Sequence, residues 1–427
     1  MQKILTDHLC WVFRPRRFLY GKPARRALRI RGWESLYFVD NQADVEAVNS
    51  STGTLFLGGA GNEFLAALLG SQSVFLLDHD QHRLARKIMA PYFSPKSMSL
   101  FQPFIDDIVE EYTIEARHRG YLMAGPWSRQ LAMRAVCRIA LGVKCPKKAH
   151  GLYKRFEATT GYLANIVSYA RRFWQPRGVL SIGSATAALV RRIDRDIYPL
   201  IEETKTTSNG EVRSVLDLLV KGQEKHHYSD QFIRDNLVSL LAAGYDTTGS
   251  ALSWMIYWYS LEAGTQKYLA DARNNNNAEE LQAFRDEVLR YCPPVEILPR
   301  RIDPDLRQQA ESLLPGIRSL SETGSSGPMV CPLIHRIHHD QSVWTNPEKF
   351  DPKRFLDGHR YGKNQFLPFG AGPRLCVGMN LGRMLMDRTL VGLIDLDRPL
   401  HLKASRFNPI RRNVSIWPGY RLKVEIE

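Results

Sequence analysis

The 427-residue chain has no unbroken apolar run of the ~20 residues that a membrane-spanning helix needs. It has no C-x-x-C pair. Its six cysteines (Cys10, Cys137, Cys145, Cys292, Cys331 and Cys376) show neither disulfide-framework nor zinc-site spacing. Reduced thiols in a reducing, cytoplasmic compartment are therefore expected. Internal repeats and Pro/Ser-rich linkers are missing, and the only low-complexity tract is Asn274 to Asn277. One large domain over 1–427 is expected, with 1–24 as an N-terminal arm. Acid is scarce: 44 Asp and Glu against 58 Lys and Arg leave a net charge of +14. The basic clusters, Arg14 to Arg31 and Lys144 to Lys148, come with no zinc-finger or RNP motif. That argues against nucleic acid and for an acidic protein partner.

The N-terminal stretch Ile4 to Phe13 is short, broken by Asp7 and His8, and followed by Arg14-Pro15-Arg16-Arg17. It lacks the core and cleavage site of a signal peptide. A packed arm is expected, with at most weak peripheral membrane contact through its aromatic and arginine residues. Strand-like segments are few, near 27–39, 329–334, 414–416 and 422–424. Helical periodicity dominates, near 82–93, 100–118, 127–142, 190–204, 231–262 and 280–291. The fold class is mainly α, a large helical region with small β-sheets near the N- and C-termini.

Against that background one decamer stands out: Phe369-Gly370-Ala371-Gly372-Pro373-Arg374-Leu375-Cys376-Val377-Gly378. It offers a single thiol among glycines, an arginine two residues earlier, and an apolar helical pattern afterwards. Glycines let backbone approach a flat macrocycle. Free amide groups and a helix N-terminus stabilise a thiolate. These are the needs of a sulfur that holds a haem iron, with Arg374 available to a propionate. The run resembles the haem-ligand loop of the cytochromes P450, F-x-x-G-x-R-x-C-x-G, at Phe369, Gly372, Arg374, Cys376 and Gly378.

Upstream, the apolar helical stretch Ser239 to Leu252 carries Gly244-Tyr245-Asp246-Thr247-Thr248 at its centre. Hydroxyls and a carboxylate in a buried helix are costly unless bonded. Gly244 would admit a flat cofactor or small ligand, and Thr247 can bond back to a carbonyl and open a groove. Tyr245 is expected in the core. The stretch resembles the distal helix of the P450 family, A-G-x-D/E-T-T/S, whose acid and first alcohol supply protons for oxygen activation. Asp246 and Thr247 match them.

Glu287-Val288-Leu289-Arg290 is a weak motif alone, since i, i+3 pairs occur on any charged helix. Between the other two it resembles the family's E-x-x-R, with Arg354 of Pro352-Lys353-Arg354-Phe355 as third partner. The resemblance makes Glu287, Arg290 and Arg354 a scaffold triad. It also adds His82, Arg86 and Arg300 (or Arg301 beside it) as haem-propionate contacts. His335-Arg336-Ile337-His338-His339 is expected as a strand end and turn, with no metal bound. Between Arg300 and Gly327 the chain is longer than the family pattern, so 306–326 is expected as a polar surface insertion. The Asn274 to Asn277 tract is expected to be mobile.

The resemblance implies haem b, ligated through Cys376, and a monooxygenase that inserts one atom of O2 into a hydrophobic small molecule such as a fatty acid, terpenoid or polyketide. Leu240, Ala243, Val295 and Leu298 are the expected pocket residues. The chain ends soon after its last strands, so a fused electron carrier is not expected. Electrons would come from a ferredoxin or flavodoxin with its reductase, to a monomer. Desaturation, coupling or peroxygenation on the same residues, or a haem-binding sensor without turnover, are the alternatives.

Overall fold

The computed structural model describes residues 27–28, 36–164, 182–207, 211–319, 328–356, 361–403, 408–419 and 422–427. The expected N-terminal arm, 1–24, lies outside them. Helices make up most of what is described. In chain order those longer than four residues are α1 (Gln42–Ser50), α2 (His79–Met89), α3 (Pro95–Arg119), α4 (Ala124–Leu141), α5 (Pro146–Ala164), α6 (Ile182–Thr207), α7 (Val215–His226), α8 (Asp230–Leu261), α9 (Ala263–Asn274), α10 (Ala278–Tyr291), α11 (Arg307–Leu313), α12 (Ile334–His338) and α13 (Met379–Ile394).

The centre of the fold is α8. It is apolar on nearly every face, from Phe232 to Tyr259, and so cannot lie at the surface. Ser229 caps it, accepting from the Phe232 N–H at 3.2 Å. Helix α4 packs along it, burying Leu131, Ala135, Val136 and Ile139. A Cβ on Gly244 would stand 2.6 Å from a Val136 methyl, so this glycine admits a neighbouring helix. The reason is packing distance: two helices approach closely only where one lacks a side chain.

Three small sheets flank the helices. The first runs β1 (Ala27–Leu28), β2 (Leu36–Val39), β6 (Met329–Pro332), β5 (Arg300–Ile302), β3 (Phe56–Leu57), with β2 and β6 parallel and the other pairs antiparallel. The second runs β4 (Tyr121–Met123), β10 (Lys423–Ile426), β7 (Leu400–Leu402), and the third is the hairpin of β8 (Ile410–Arg412) and β9 (Ser415–Trp417).

Three local expectations are corrected. The Asn tract is a built helix junction: Asn276 adopts φ 54°, and the Asn277 side chain accepts from the Glu280 N–H to cap α10. Asparagine suits both tasks, as it tolerates the left-handed region and accepts at N-caps. The described part of the 306–326 segment is not merely polar surface. Helix α11 and the turn after it bury Ala310, Leu314 and Ile317 against Tyr37, Val39 and Val45. That i, i+4, i+7 apolar spacing is hidden among polar residues. Residues 334–338 form the short helix α12 rather than a strand end and turn.

Glu287 is fully buried, as is Arg290. Arg290 Nε and Nη2 donate to its two oxygens at 2.7 and 2.8 Å, Arg354 Nε stands 3.0 Å from Oε2, and the Asp351 amide donates at 2.7 Å. Removing one partner of a buried ion pair strands the others. Glu287→Ala should lower the unfolding free energy by about 3–5 kcal/mol, read from the urea midpoint. An unchanged midpoint would refute this account of the triad.

Candidate active site

The cysteine loop closes on itself. The Cys376 N–H donates to the Phe369 carbonyl at 2.9 Å, and Leu375 N–H to Gly372 O at 3.1 Å. Gly372 takes φ 63°, and a Cβ there would meet the Asn49 carbonyl at 2.8 Å. Phe369 lies under the guanidinium of Arg383, 5.3 Å from its ring centre. The loop runs directly into α13, with Gly378 as its N-cap. The Gly378 N–H bonds to the Cys376 sulfur and, with Arg86, favours thiolate, while burial pushes the thiol pKa up and prevails. By surface area Cys376 is exposed, so the closed loop leaves this residue reachable by a ligand.

Four basic side chains gather near the loop. Arg86, on α2, donates to the Leu375 carbonyl at 2.5 Å. Arg374 is tied to Asp78 at 2.6 Å and to the Val74 carbonyl at 3.1 Å. Asp78, not singled out in the sequence, is itself fixed by the amides of Gly59 and Ala60, each at 2.9 Å. Arg300 donates Nη1 to Pro299 O at 2.9 Å, but its buried Nε has no partner. Burial, with Arg374 nearby, lowers its pKa to about 10. Burial first, then Arg374, Arg86 and Arg300, hold the buried His82 down to about 4. Among the described residues a single carboxylate, Asp78, faces this cluster. An unpaired buried guanidinium is expensive, so the cluster suits a ligand bringing its own carboxylates. The two propionates of haem fit it. Arg301 is engaged elsewhere, with the Ala60 carbonyl and Glu63, which favours Arg300 of the two.

On α8, Asp246 is buried and Thr247 half-buried. Thr247 Oγ1 donates to the Ala243 carbonyl at 2.6 Å, as its sequence predicts. Between Leu240 and Leu252 on this helix, Ala242, Ala243, Gly244, Thr247 and Thr248 are partly exposed and the rest buried. The i, i+4 pairs Ala243/Thr247 and Gly244/Thr248 make one open stripe. Leu240, at the stripe's near end, is buried, while Val295 and Leu298 are half-buried. Leu298 packs beside Gly370 of the cysteine loop. Tyr245 points into the core, its hydroxyl 2.6 Å from Thr160 Oγ1.

The Asp246 carboxylate faces the β8–β9 hairpin. Ser415 Oγ donates to Oδ2 at 2.6 Å, and Arg412 Nη1 stands 3.4 Å from Oδ1. Arg412 also binds Glu157 at 2.7 Å, and Arg129 joins Glu157 at 3.0 Å. Burial raises the Asp246 pKa, with Arg412 and Ser415 opposing. Sequence reasoning missed Ser415, Arg412, Glu157 and Arg129. No local pattern marks them, since Ser415 lies 169 residues from its acid.

The histidine run 335–339 is buried without metal geometry. His338 Nδ1 lies 3.1 Å from Arg290 O, and its Nε2 accepts from the Leu367 N–H at 2.8 Å. Among the described residues no group of three His, Cys, Asp or Glu could hold a metal ion.

The His82 ring yields a pH prediction for the haem-free protein. Between about pH 6.5 and about 4 the unfolded chain binds a proton that the folded chain refuses. Stability therefore falls as pH drops through that window. His82→Gln should remove part of this slope, seen as a smaller difference between melting temperatures at pH 7 and pH 5. An unaltered slope would contradict the burial of this ring.

Comparison with known proteins agrees with the geometry. The family model for Cytochrome P450 matches residues 30–395. A Mycobacterium tuberculosis protein provisionally named cytochrome P450 138 is 29% identical over 331 residues, 76% of this chain and 72% of its own length. A second from that organism, provisionally named cytochrome P450 135B1, is 26% identical over 380 residues, 84% and 75% of the two chains. Among solved structures, retinoic acid-bound cyanobacterial CYP120A1 superposes with a TM-score of 0.76 at 20% identity, covering 92% of this chain and 89% of that one. P450BioI in complex with acyl carrier protein ligated to hexadec-9Z-enoic acid gives 0.67 at 20%, covering 92% and 91%. The mainly helical fold, the cysteine loop and the matched family model together place this chain in the cytochrome P450 family, an oxidoreductase of the haem b monooxygenase class.

Proposed function

We propose that the chain inserts one atom of O2 into a hydrophobic small molecule, with Cys376 as the axial haem ligand and Asp246 and Thr247 managing protons. The observation that carries this reading is Cys376, exposed in a closed loop with its sulfur bonded by the Gly378 amide, beside a cation cluster that Asp78 alone of the described carboxylates faces. Haem b supplies the redox chemistry of dioxygen when bound, with thiolate ligation favouring O–O cleavage.

The chain's own residues do the rest. Arg86, Arg300, Arg374 and His82 would hold the propionates, with Arg300 Nε as the donor left open. The Gly378 N–H tempers the sulfur. Glu287, Arg290 and Arg354 hold the scaffold beneath the loop. Asp246, buried, keeps a proton-exchanging carboxylate inside α8. Thr247, bonded to Ala243 O, places a hydroxyl on the open stripe. The half-buried stripe, with Leu240, Val295 and Leu298, is apolar apart from the threonines. That favours a fatty acid, terpenoid or polyketide over a sugar or nucleotide.

The electron donor we propose is an acidic ferredoxin or flavodoxin with its reductase, acting on a monomer in the cytoplasm. The net charge of +14 would speed its encounter. No helix among the described residues is long and apolar enough to cross a membrane.

Two tests follow. Cys376→Ser should abolish the red-shifted absorption of the reduced, carbon monoxide-treated protein. Persistence of that band would refute the ligand. Asp246→Asn should slow product formation by about 10²-fold or more, as loss of a general acid does. Equal turnover in both proteins would remove Asp246 from the mechanism. An absorption screen with apolar and polar compounds checks the pocket: shifts of the haem band given only by polar ones would overturn the substrate class.

A further inference from the structure

We propose that Ser415, steered by Trp417, is the positioning residue of the Asp246 carboxylate. The proposal rests on the reading of Asp246 as the proton-handling acid. The acid's helix alone does not fix its side chain. The hairpin does.

Ser415 Oγ donates to Asp246 Oδ2 at 2.6 Å and accepts from Trp417 Nε1 at 2.8 Å. A hydroxyl has one proton. With an indole N–H occupying the oxygen, that proton has two acceptors within reach, Asp246 Oδ2 and the Arg412 carbonyl at 3.1 Å. The charged oxygen is nearer and the stronger acceptor. Ionised Asp246 therefore holds the proton, and a protonated Asp246 frees it to turn to Arg412 O. One hydroxyl thus couples the acid's charge to the hairpin backbone.

The hairpin is rigid enough to do this. Ile416 O accepts from Ser250 Oγ at 2.5 Å and Trp254 Nε1 at 2.8 Å, both on α8, and Ile416 N–H donates to Pro294 O at 2.9 Å. Ser415 and Trp417 flank that anchored residue. The Trp417 ring is itself held by the Arg129 guanidinium, 4.9 Å from its centre. Removing the Ser415 hydroxyl leaves these anchors in place.

The charged and titratable groups facing Asp246 come from every neighbouring element. Arg412 lies on β8, Arg129 on α4, Glu157 on α5 and Tyr245 on α8. Burial favours the neutral acid, and Arg412, Ser415 and Arg129 favour the charged one. Ser415 is the one uncharged member of this set, so it can be removed without altering the net charge.

The test is an infrared titration of the holoprotein, following the carbonyl stretch of protonated Asp246, assigned by its loss in Asp246→Asn. Ser415→Ala should move its midpoint up by about one pH unit, the size expected for losing a hydrogen bond to a charged group. Ser415→Thr should restore it. Trp417→Phe, which keeps the ring but removes the indole N–H, should move it up by less, and carries the test should the alanine variant not fold. Coincident midpoints in all these proteins overturn the proposal. Failure of the underlying reading looks different: Asp246→Asn would then leave the turnover rate unchanged while the infrared shift remained.

Discussion

Glu287 is the group on which the rest of the structure depends. A carboxylate with no exposed surface is tolerable only when nearly every lone pair is engaged. Here two guanidiniums and the Asp351 amide engage it. Arg290 carries the constraint onward, donating to the His338 carbonyl at 2.7 Å, while His338 accepts from Leu367 at 2.8 Å. Leu367 leads directly into the cysteine loop. The thiol's position is thus set by a relay of hydrogen bonds that begins on α10.

Elsewhere the chain treats buried charge in the opposite way. At the Glu287 site one carboxylate meets two guanidiniums, backbone carbonyls take their other donors, and the geometry is closed. Around His82 and Arg300 they do not. Cations gather, one guanidinium nitrogen stays unpaired, and the histidine stays neutral. Folded scaffolds close their polar networks. The part that does not close marks where a ligand must supply the missing charge. Asp246 lies between these extremes, buried and partly compensated by Arg412 and Ser415. Such a poised acid suits proton exchange better than a fully paired one.

The legible part of the site was local. Cys376, Arg374 and Gly378 fall within five residues, and Thr247's bond to Ala243 follows from helix geometry alone. The long helices were legible through periodicity. Helices α5, α7 and α9 were not, because their apolar faces are narrow and their polar residues many. The Asn tract read as slack where it caps a helix, and the contact of Gly244 with Val136 was not read at all. Both misses have one source. A residue's local freedom is visible in sequence, but the neighbour that uses it is not.

The sequence by itself determined the helical class, the thiol in its glycine loop, the Asp-Thr pair and the Glu-x-x-Arg spacing. All of these are encoded within a few residues, where chain geometry leaves little choice. Only the tertiary structure decided that Arg300 Nε is left open in the cation cluster, that Asp78 answers Arg374, and that a hairpin serine 169 residues away holds Asp246. Those pairings depend on where distant segments meet in the packed core. Hydrogen bonds act over about 3 Å, so only the folded chain can assign them.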